Sequence, residues 1–387
     1  MVEAMEIKAG FKQTEVGVIP SDWEVKKLAD LVDKFVNGGT PSTQITEYWN
    51  GNIPWITGAD ILNQKVAVIR RYISKEAVKN SSTNIIEKGN LLLVSRTGVG
   101  KIAITPFDIA ISQDFTGIYV KSSELDTVYL FRYFDFAQKE LKTQNQGTSI
   151  QGITRETLSS IKIPLPPTKA EQTAIATALN DADALITQLE KLIAKKRDIK
   201  QGAMQELLKP KEGWEVKQMG KIAELYQPVT ISQEHFTEDG YLVYGANGIV
   251  GRYSKYNHEH WQTTITCRGS TCGTVNRTVD KCWITGNAMV ANVDKNESVD
   301  KMFFYFMLSR QDYANCITGS GQPQIVRKPL SEFELSFPRE KSEQTRIAQI
   351  LSDMDTEIEA LENKLEKHKM IKQGMMQNLL TGKIRLI

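Results

Sequence analysis

The chain has 387 residues, 41% hydrophobic and 24% charged, with a formal net charge of +2. That length exceeds one ordinary core and suits two domains with connecting elements. The composition is that of a soluble globular protein, and no apolar run approaches the ~18 residues of a membrane span. The near-neutral balance is uninformative by itself: a nucleic-acid binder with it has to concentrate its positive charge on one face or share the task with a partner.

Residues 1–22 form an N-terminal segment with acidic residues and no apolar core, unlike a signal peptide, and a cytoplasmic protein is expected. A first head, 23–169, opens on Trp23-Glu24-Val25-Lys26. Leu91 to Val94 and Ile102 to Ala103 and Ile104 read as strands separated by Gly-rich turns, and Phe131 to Gln138 as a short aromatic helix with Leu130 in the core. Pro164, Pro166 and Pro167 end an extended segment before a helix starts.

That helix, 170–209, and a second one, 343–380, are the same sequence twice. Segments 171–208 and 343–380 align without a gap at an offset of 172. Ile175, Leu179, Ala182, Ile186, Leu189, Ile193, Lys196, Lys200, Ala203 and Leu207 are spaced alternately four and three. Ile347, Leu351, Met354, Ile358, Leu361, Leu365, His368, Lys372, Met375 and Leu379 follow the same rhythm. This is a heptad seam over five heptads on a helix roughly 57 Å long, which needs a partner to be stable. Each is the other's obvious partner, in antiparallel pairing. Ile175, Leu179, Ile186, Leu189, Ile193, Ile347, Leu351, Ile358, Leu361 and Leu365 are the pairing and docking candidates. Both seams turn polar at one place, Lys196 with Lys200 and His368 with Lys372, as if the seam there leaves its partner and meets another surface. Gly202 and Gly374 follow as positions allowing a bend or close approach.

The second head, 210–342, opens on Trp214-Glu215-Val216-Lys217, with a strand from Thr263 to Thr266 and an aromatic helix from Met302 to Leu308 with Met307 in the core. The opening tetrapeptides are offset by 191 and Arg96 with Arg268 by 172, so the first head carries 19 extra residues between Lys26 and Arg96. The heads close alike: Gly147, Ile153, Arg155 and Leu158 match Gly319, Ile325, Arg327 and Leu330. The four cysteines, Cys267, Cys272, Cys282 and Cys316, lack the C-x-x-C pairing of a zinc site and read as reduced thiols. A tail, 381–387, ends the chain. The expected fold is α+β: two similar heads separated by two long antiparallel coiled-coil helices, with the tail meeting the N-terminal segment to close a pseudo-two-fold circle.

Catalytic motifs are missing. Gly98-Val99-Gly100-Lys101 resembles the end of a phosphate-binding loop, but Ser95 and Ile102 replace the glycine and the hydroxyl that such a loop needs. Glu140-Leu141-Lys142 has no Pro-Asp pair before it, no amine-methylation tetrapeptide is present, and none of the four histidines has a triad-like context. Recognition chemistry remains. Ser95, Arg96, Thr97, Lys101, Thr148, Ser149 and Gln151 in the first head, and Asn247, Arg268, Ser270, Gln322 and Gln324 in the second, are polar side chains on Gly-flanked turns. Such groups reach base edges and phosphates. Their weight comes from recurrence at equivalent places in two heads.

These strings also carry a family resemblance. Gly38-Gly39-Thr40-Pro41-Ser42, Glu47-Tyr48-Trp49-Asn50-Gly51 and Ile53-Pro54-Trp55 contribute to it. So do Arg96-Thr97-Gly98, Arg268-Gly269-Ser270, residues 319–324, the helix endings 201–208 and 373–380, and the closing 381–386. In the order head, helix, head, helix, nearly the whole chain resembles the specificity subunit of a type I restriction–modification system. The resemblance implies that each head is a target recognition domain reading one half of a split DNA sequence, and that the helices set the spacer and dock two methyltransferase subunits. Motor-nuclease subunits would join them. It implies that this chain is non-catalytic by itself and binds no cofactor, with S-adenosylmethionine, ATP and magnesium on partner subunits. Arg96 and Arg268 are carried over as DNA contacts by their place in matching turns; pinning the loop through carbonyls is the other reading. The second head departs from the family by lacking the Gly-Gly-Thr-Pro and Trp-Asn-Gly strings, which bears on which bases it reads. The alternative function is an orphan DNA-binding or scaffold protein without partners; a single-chain restriction–methylation enzyme and a purely structural coiled coil fit less well.

Overall fold

The computed structural model describes residues 8–139, 152–246, 248–319 and 323–386. They divide into two compact units, residues 1–188 with 365–387, and residues 189–364. The two 39-residue helices, Lys169–Leu207 and Lys341–Leu379, each run through both units.

In the first unit, an antiparallel sheet has the order Ile102–Ile104, Leu91–Val94, Phe115–Val120, Val32–Asn37. A second sheet has the order Arg71–Ile73, Ile53–Ile56, Ile109–Ile111, Asn84–Ile86, with its two middle strands parallel. Leu91 to Val94 are buried throughout, as an apolar run without alternation demands. The second unit repeats the first sheet as Val275–Arg277, Thr263–Thr266, Ala288–Asn292, Glu224–Tyr226. Its second sheet is reduced to Gly248–Tyr253, Tyr241–Gly245 and Trp283–Ile284.

The repeated Trp-Glu-Val-Lys openings have one structural explanation. Glu24–Lys27 pairs antiparallel with Lys162–Leu165, and Glu215–Gln218 with Glu334–Phe337. Each head's entry strand is thus zipped to the strand that leads into its long helix. The aromatic helices are Thr127–Phe136 and Lys301–Ser309. Asp126 and Asp300 cap them, each accepting from two backbone N–H groups at 2.9 and 3.0 Å. A glutamine in the first turn of each long helix then holds the cap. Gln172 accepts from Asp126 N at 2.8 Å and donates to the Glu124 carbonyl at 3.0 Å. Gln344 accepts from Asp300 N at 2.9 Å and donates to the Ser298 carbonyl at 3.2 Å.

The seam is divided between jobs. Ile175 and Leu179 belong to the core of the first unit, and Ile347 and Leu351 to that of the second, and each core combines head residues with the end of the other long helix. Leu189, Ile193, Ile358 and Leu365 are buried, and Ile186 and Leu361 half-buried. The helix ends serve the heads as well: Leu379 and Leu380 complete the first core, Leu208 the second. Within the second unit Arg197 meets Glu362 at 2.5 Å, Lys196 meets Glu357 at 2.6 Å and Lys200 bonds Asp355, an antiparallel register. In the first unit Lys372 meets Asp183 at 2.7 Å. The polar break therefore does not mark a seam leaving its partner: Lys200 and Lys372, 172 residues apart, each reach an aspartate of the facing helix, and these aspartates are also 172 apart. Neither glycine is a bend or a close approach. The helices continue through Gly202 and Gly374, and a Cβ at either would meet nothing within 4 Å.

The tail lies against Pro20 to Trp23 and the start of the first long helix. Arg385 bonds Glu171 and pairs with Asp22 at 3.0 Å, and Gly382 packs against Pro20 and Trp23. Among the described residues no helix is long and apolar enough to cross a membrane.

Candidate nucleic-acid interface

Each central strand ends in a Gly-closed turn that starts with an arginine. In the first head, Val94 N donates to the Lys101 carbonyl at 2.8 Å, and Gly100 N donates back to the Val94 carbonyl at 3.1 Å. In the second, Thr266 N donates to the Thr274 carbonyl at 2.8 Å, and Gly273 N to Thr266 at 2.9 Å. Gly100 (φ 91) and Gly273 (φ 92) supply the left-handed backbone that closes both turns. The second turn is one residue longer, so the offset of 172 becomes 173 where the turn closes, at Gly100 and Gly273.

Two further strands of chain hold each turn in the same way. Ser95 N donates to the Asp114 carbonyl at 2.7 Å, and Cys267 N to Asn287 at 3.1 Å. Ile153 N donates to the Ser95 carbonyl at 2.8 Å, and Ile325 N to Cys267 at 2.9 Å. Arg268 forms a β-bridge with Gln324, which brings two of the candidate residues side by side. At the matching place Gly152 lies against Arg96: a Cβ there would be 3.7 Å from Arg96 Cγ. Arg96 and Arg268 are both exposed, and no side-chain partner holds either guanidinium among the described residues. Thr97 and Ser270 are exposed beside them, and Gln324 is half-buried.

Two of the sequence candidates have structural duties instead. Ser95 is buried, with its hydroxyl 3.1 Å from Thr116 Oγ1 and 3.3 Å from the Asp114 carbonyl, so it has no face to offer DNA. Lys101 donates its ammonium to the carbonyls of Gly58 at 2.9 Å and Ile61 at 3.2 Å and fastens a neighbouring loop. Thr148, Ser149, Gln151, Asn247 and Gln322 lie outside the described residues, as does Glu140-Leu141-Lys142.

The Gly-Gly-Thr-Pro and Trp-Asn-Gly strings prove to be packing. A Cβ on Gly38 would fall 2.2 Å from the Ser112 carbonyl oxygen and one on Gly39 2.0 Å from Ser82 Oγ, so only glycine fits. Trp55 Nε1 donates to the Gly39 carbonyl and Trp49 Nε1 to that of Ser42, both at 3.1 Å. Beside them lies a feature that sequence reading missed. Arg71 stacks over Trp55 at 4.7 Å, and Trp49, Arg70, Arg71 and Tyr72 line a cavity of about 570 Å³. The adjacent pair Arg70-Arg71 next to Tyr72 was the available signal. Among the described residues no three of His, Cys, Asp and Glu converge as metal ligands. Cys267, Cys282 and Cys316 are buried free thiols, and burial pushes the Cys267 thiol up to about 11.

The family model described as the type I restriction modification DNA specificity domain matches residues 20–201 and again 211–368. The MjaIX type I restriction enzyme specificity subunit of Methanocaldococcus jannaschii is 38% identical over 186 residues, which is 47% of this chain and 42% of that protein. In that match the chain therefore spans less than half of its relative. The MjaVIII specificity subunit of the same organism is 24% identical over 425 residues, covering 97% of this chain and 96% of the relative. The fold is shared with the crystal structure of a type I restriction–modification S subunit from M. genitalium, at a TM-score of 0.64 and 16% identity over 97% of this chain and 98% of that one.

Proposed function

This chain belongs to the type I restriction modification DNA specificity family, and from that premise we propose that each of its heads reads one half of a split DNA target. The observation that carries this reading is the pair of matched turns. Arg96 and Arg268 start Gly-closed loops at the ends of equivalent strands, each held by the same two backbone bonds, and both are exposed with no side-chain partner among the described residues, as a contact to a guanine edge or a phosphate requires. Arg96, Thr97, Arg268, Ser270 and Gln324 form the reading set, while Ser95 and Lys101 shape and fasten the turn.

The two long helices set the spacer between the half-sites. They also seat two methyltransferase subunits. Leu192 and Ile199, seven residues apart on the first helix within the second unit, are exposed apolar side chains suited to such a seat. The chain itself is non-catalytic. S-adenosylmethionine belongs to the methyltransferase subunits, and ATP and magnesium to motor-nuclease subunits, in a cytoplasmic assembly that modifies adenine and cuts unmodified DNA. Partners that contribute to the DNA grip reconcile sequence-specific binding with a net charge of +2.

The test is to map modified adenines across the source genome with and without the gene. A split motif with a fixed spacer that disappears on deletion is expected. A methylation pattern indifferent to the deletion would leave an orphan DNA-binding or scaffold protein as the better description.

A further inference from the structure

The surplus residues of the first head build a structure that the second head lacks. In the second head, strands Tyr241–Gly245 and Gly248–Tyr253 pair down to Gly245 opposite Gly248, so only two residues join them. The equivalent strands of the first head, Ile53–Ile56 and Arg71–Ile73, are joined by residues 57–70. Both sets occupy the same place, each with its first strand parallel to the neighbouring one (Ile109–Ile111 or Trp283–Ile284). Out of the longer connection rises a small antiparallel hairpin, Ile61–Leu62 with Lys65–Val66, turning at Asn63 (φ 49) and Gln64 (φ 58).

Two consecutive non-glycine residues in the left-handed region are unfavourable unless the surroundings hold them. Here they are held, and by the arginine turn. Gln64 Oε1 accepts from Ile102 N at 2.8 Å, and Lys101 donates to the carbonyls of Gly58 and Ile61. A Cβ on Gly58 would be 2.9 Å from the Thr97 carbonyl. At the hairpin base, Ala67 N donates to the Asp60 carbonyl at 3.0 Å, and Asp60 accepts from Thr57 N at 2.8 Å. The hairpin and the Arg96 turn are one fastened surface. In the second head the short connection is likewise tied to its arginine turn, by Thr266 Oγ1 donating to the Ala246 carbonyl.

What the hairpin presents is not structural. Leu62 is 49% exposed, and Asn63 and Lys65 are exposed with no side-chain partner among the described residues. A two-stranded ribbon fits the major groove of DNA, a carboxamide can pair with adenine N6 and N7, an aliphatic group can meet a thymine methyl, and a lysine can hold a phosphate. Resting on the reading of the heads given above, we propose that hairpin 61–66 is a second specificity element of the first head, with Asn63 and Leu62 reading bases beside those read from the Arg96 turn and Lys65 fixing the ribbon on the backbone.

The test reintroduces the full-length gene into the deletion strain with Asn63→Gly and Lys65→Ala together and maps methylated adenines. Glycine is at home at φ 49, so the turn keeps its geometry while the carboxamide is lost. The expected result is a rise of about 5- to 100-fold in modification of sites with one mismatch in one half-site, relative to cognate sites, with the other half-site still read as before. Unchanged discrimination at every position overturns the proposal, and so does a uniform loss across both half-sites. If the wild-type gene restores no split motif, the reading of the heads fails and the hairpin proposal with it; if it restores one that the variant leaves intact, only the hairpin proposal falls.

Discussion

Arg268→Ala is the sharpest single-residue test of the interface. If the guanidinium is bidentate to a guanine, its loss costs ~1–3 kcal/mol and relaxes one position of one half-site. Binding measured against duplexes mutated position by position reads this directly, and an unaltered affinity and pattern assigns the arginine to structure. The arginines were legible because the offset of 172 places both in matching Gly-flanked turns. The separate duties of Ser95 and Lys101 were not, since a polar residue in a turn gives no signal of whether it faces water or a carbonyl. Hairpin 61–66 was hidden for a related reason: Asn63-Gln64 lacks the glycine that marks a two-residue turn, and the bonds from Lys101 and Ile102 that compensate are long-range.

Among the elements, the long helices were the most legible, since a heptad rhythm over five turns of pattern has few other meanings. The division of their seam was not, because a heptad does not say whether the apolar face meets a helix or a head. The polar break was misread for want of its partners. Asp183 sits 2.7 Å from Lys372 and 2.5 Å from Arg132, whose guanidinium also takes the Asn180 carboxamide oxygen. Burial pushes the Asp183 carboxyl up, but Lys372 and Arg132 together outweigh it and hold it below the usual carboxylate range. Asp135, 3.9 Å from the same ammonium, goes the other way, raised by burial. A depressed carboxylate contributes stability that is complete above its unfolded pKa, near 4, and is lost as pH falls through the folded value. Lys372→Met is therefore expected to cost ~1–2 kcal/mol at pH 7, and the gap to wild type should close only as pH falls through the depressed folded value of Asp183, below the usual carboxylate range. Thermal melts of the two proteins across that range decide it; a gap independent of pH would mean that packing of the lysine stem, not its charge, is what matters.

For the whole molecule, the paired substitutions Leu189→Asp and Leu361→Asp put carboxylates into the helix seam of the second unit, at one buried and one half-buried position. Unpaired carboxylates there disfavour the helix pairing. Methylation of the normal target should be lost, and its persistence at an unchanged site would refute the helices as a spacer. The two cores share a further property. Each is completed by the end of a long helix, Leu379 and Leu380 in one and Leu208 in the other. Those ends read Gln-Gly-x-Met-Gln-x-Leu-Leu both times, at 373–380 and 201–208. A head's core is therefore finished by a part that does not depend on which head it is. The repeated ends are thus a common socket: one short apolar pattern fits two heads that differ in length and sequence.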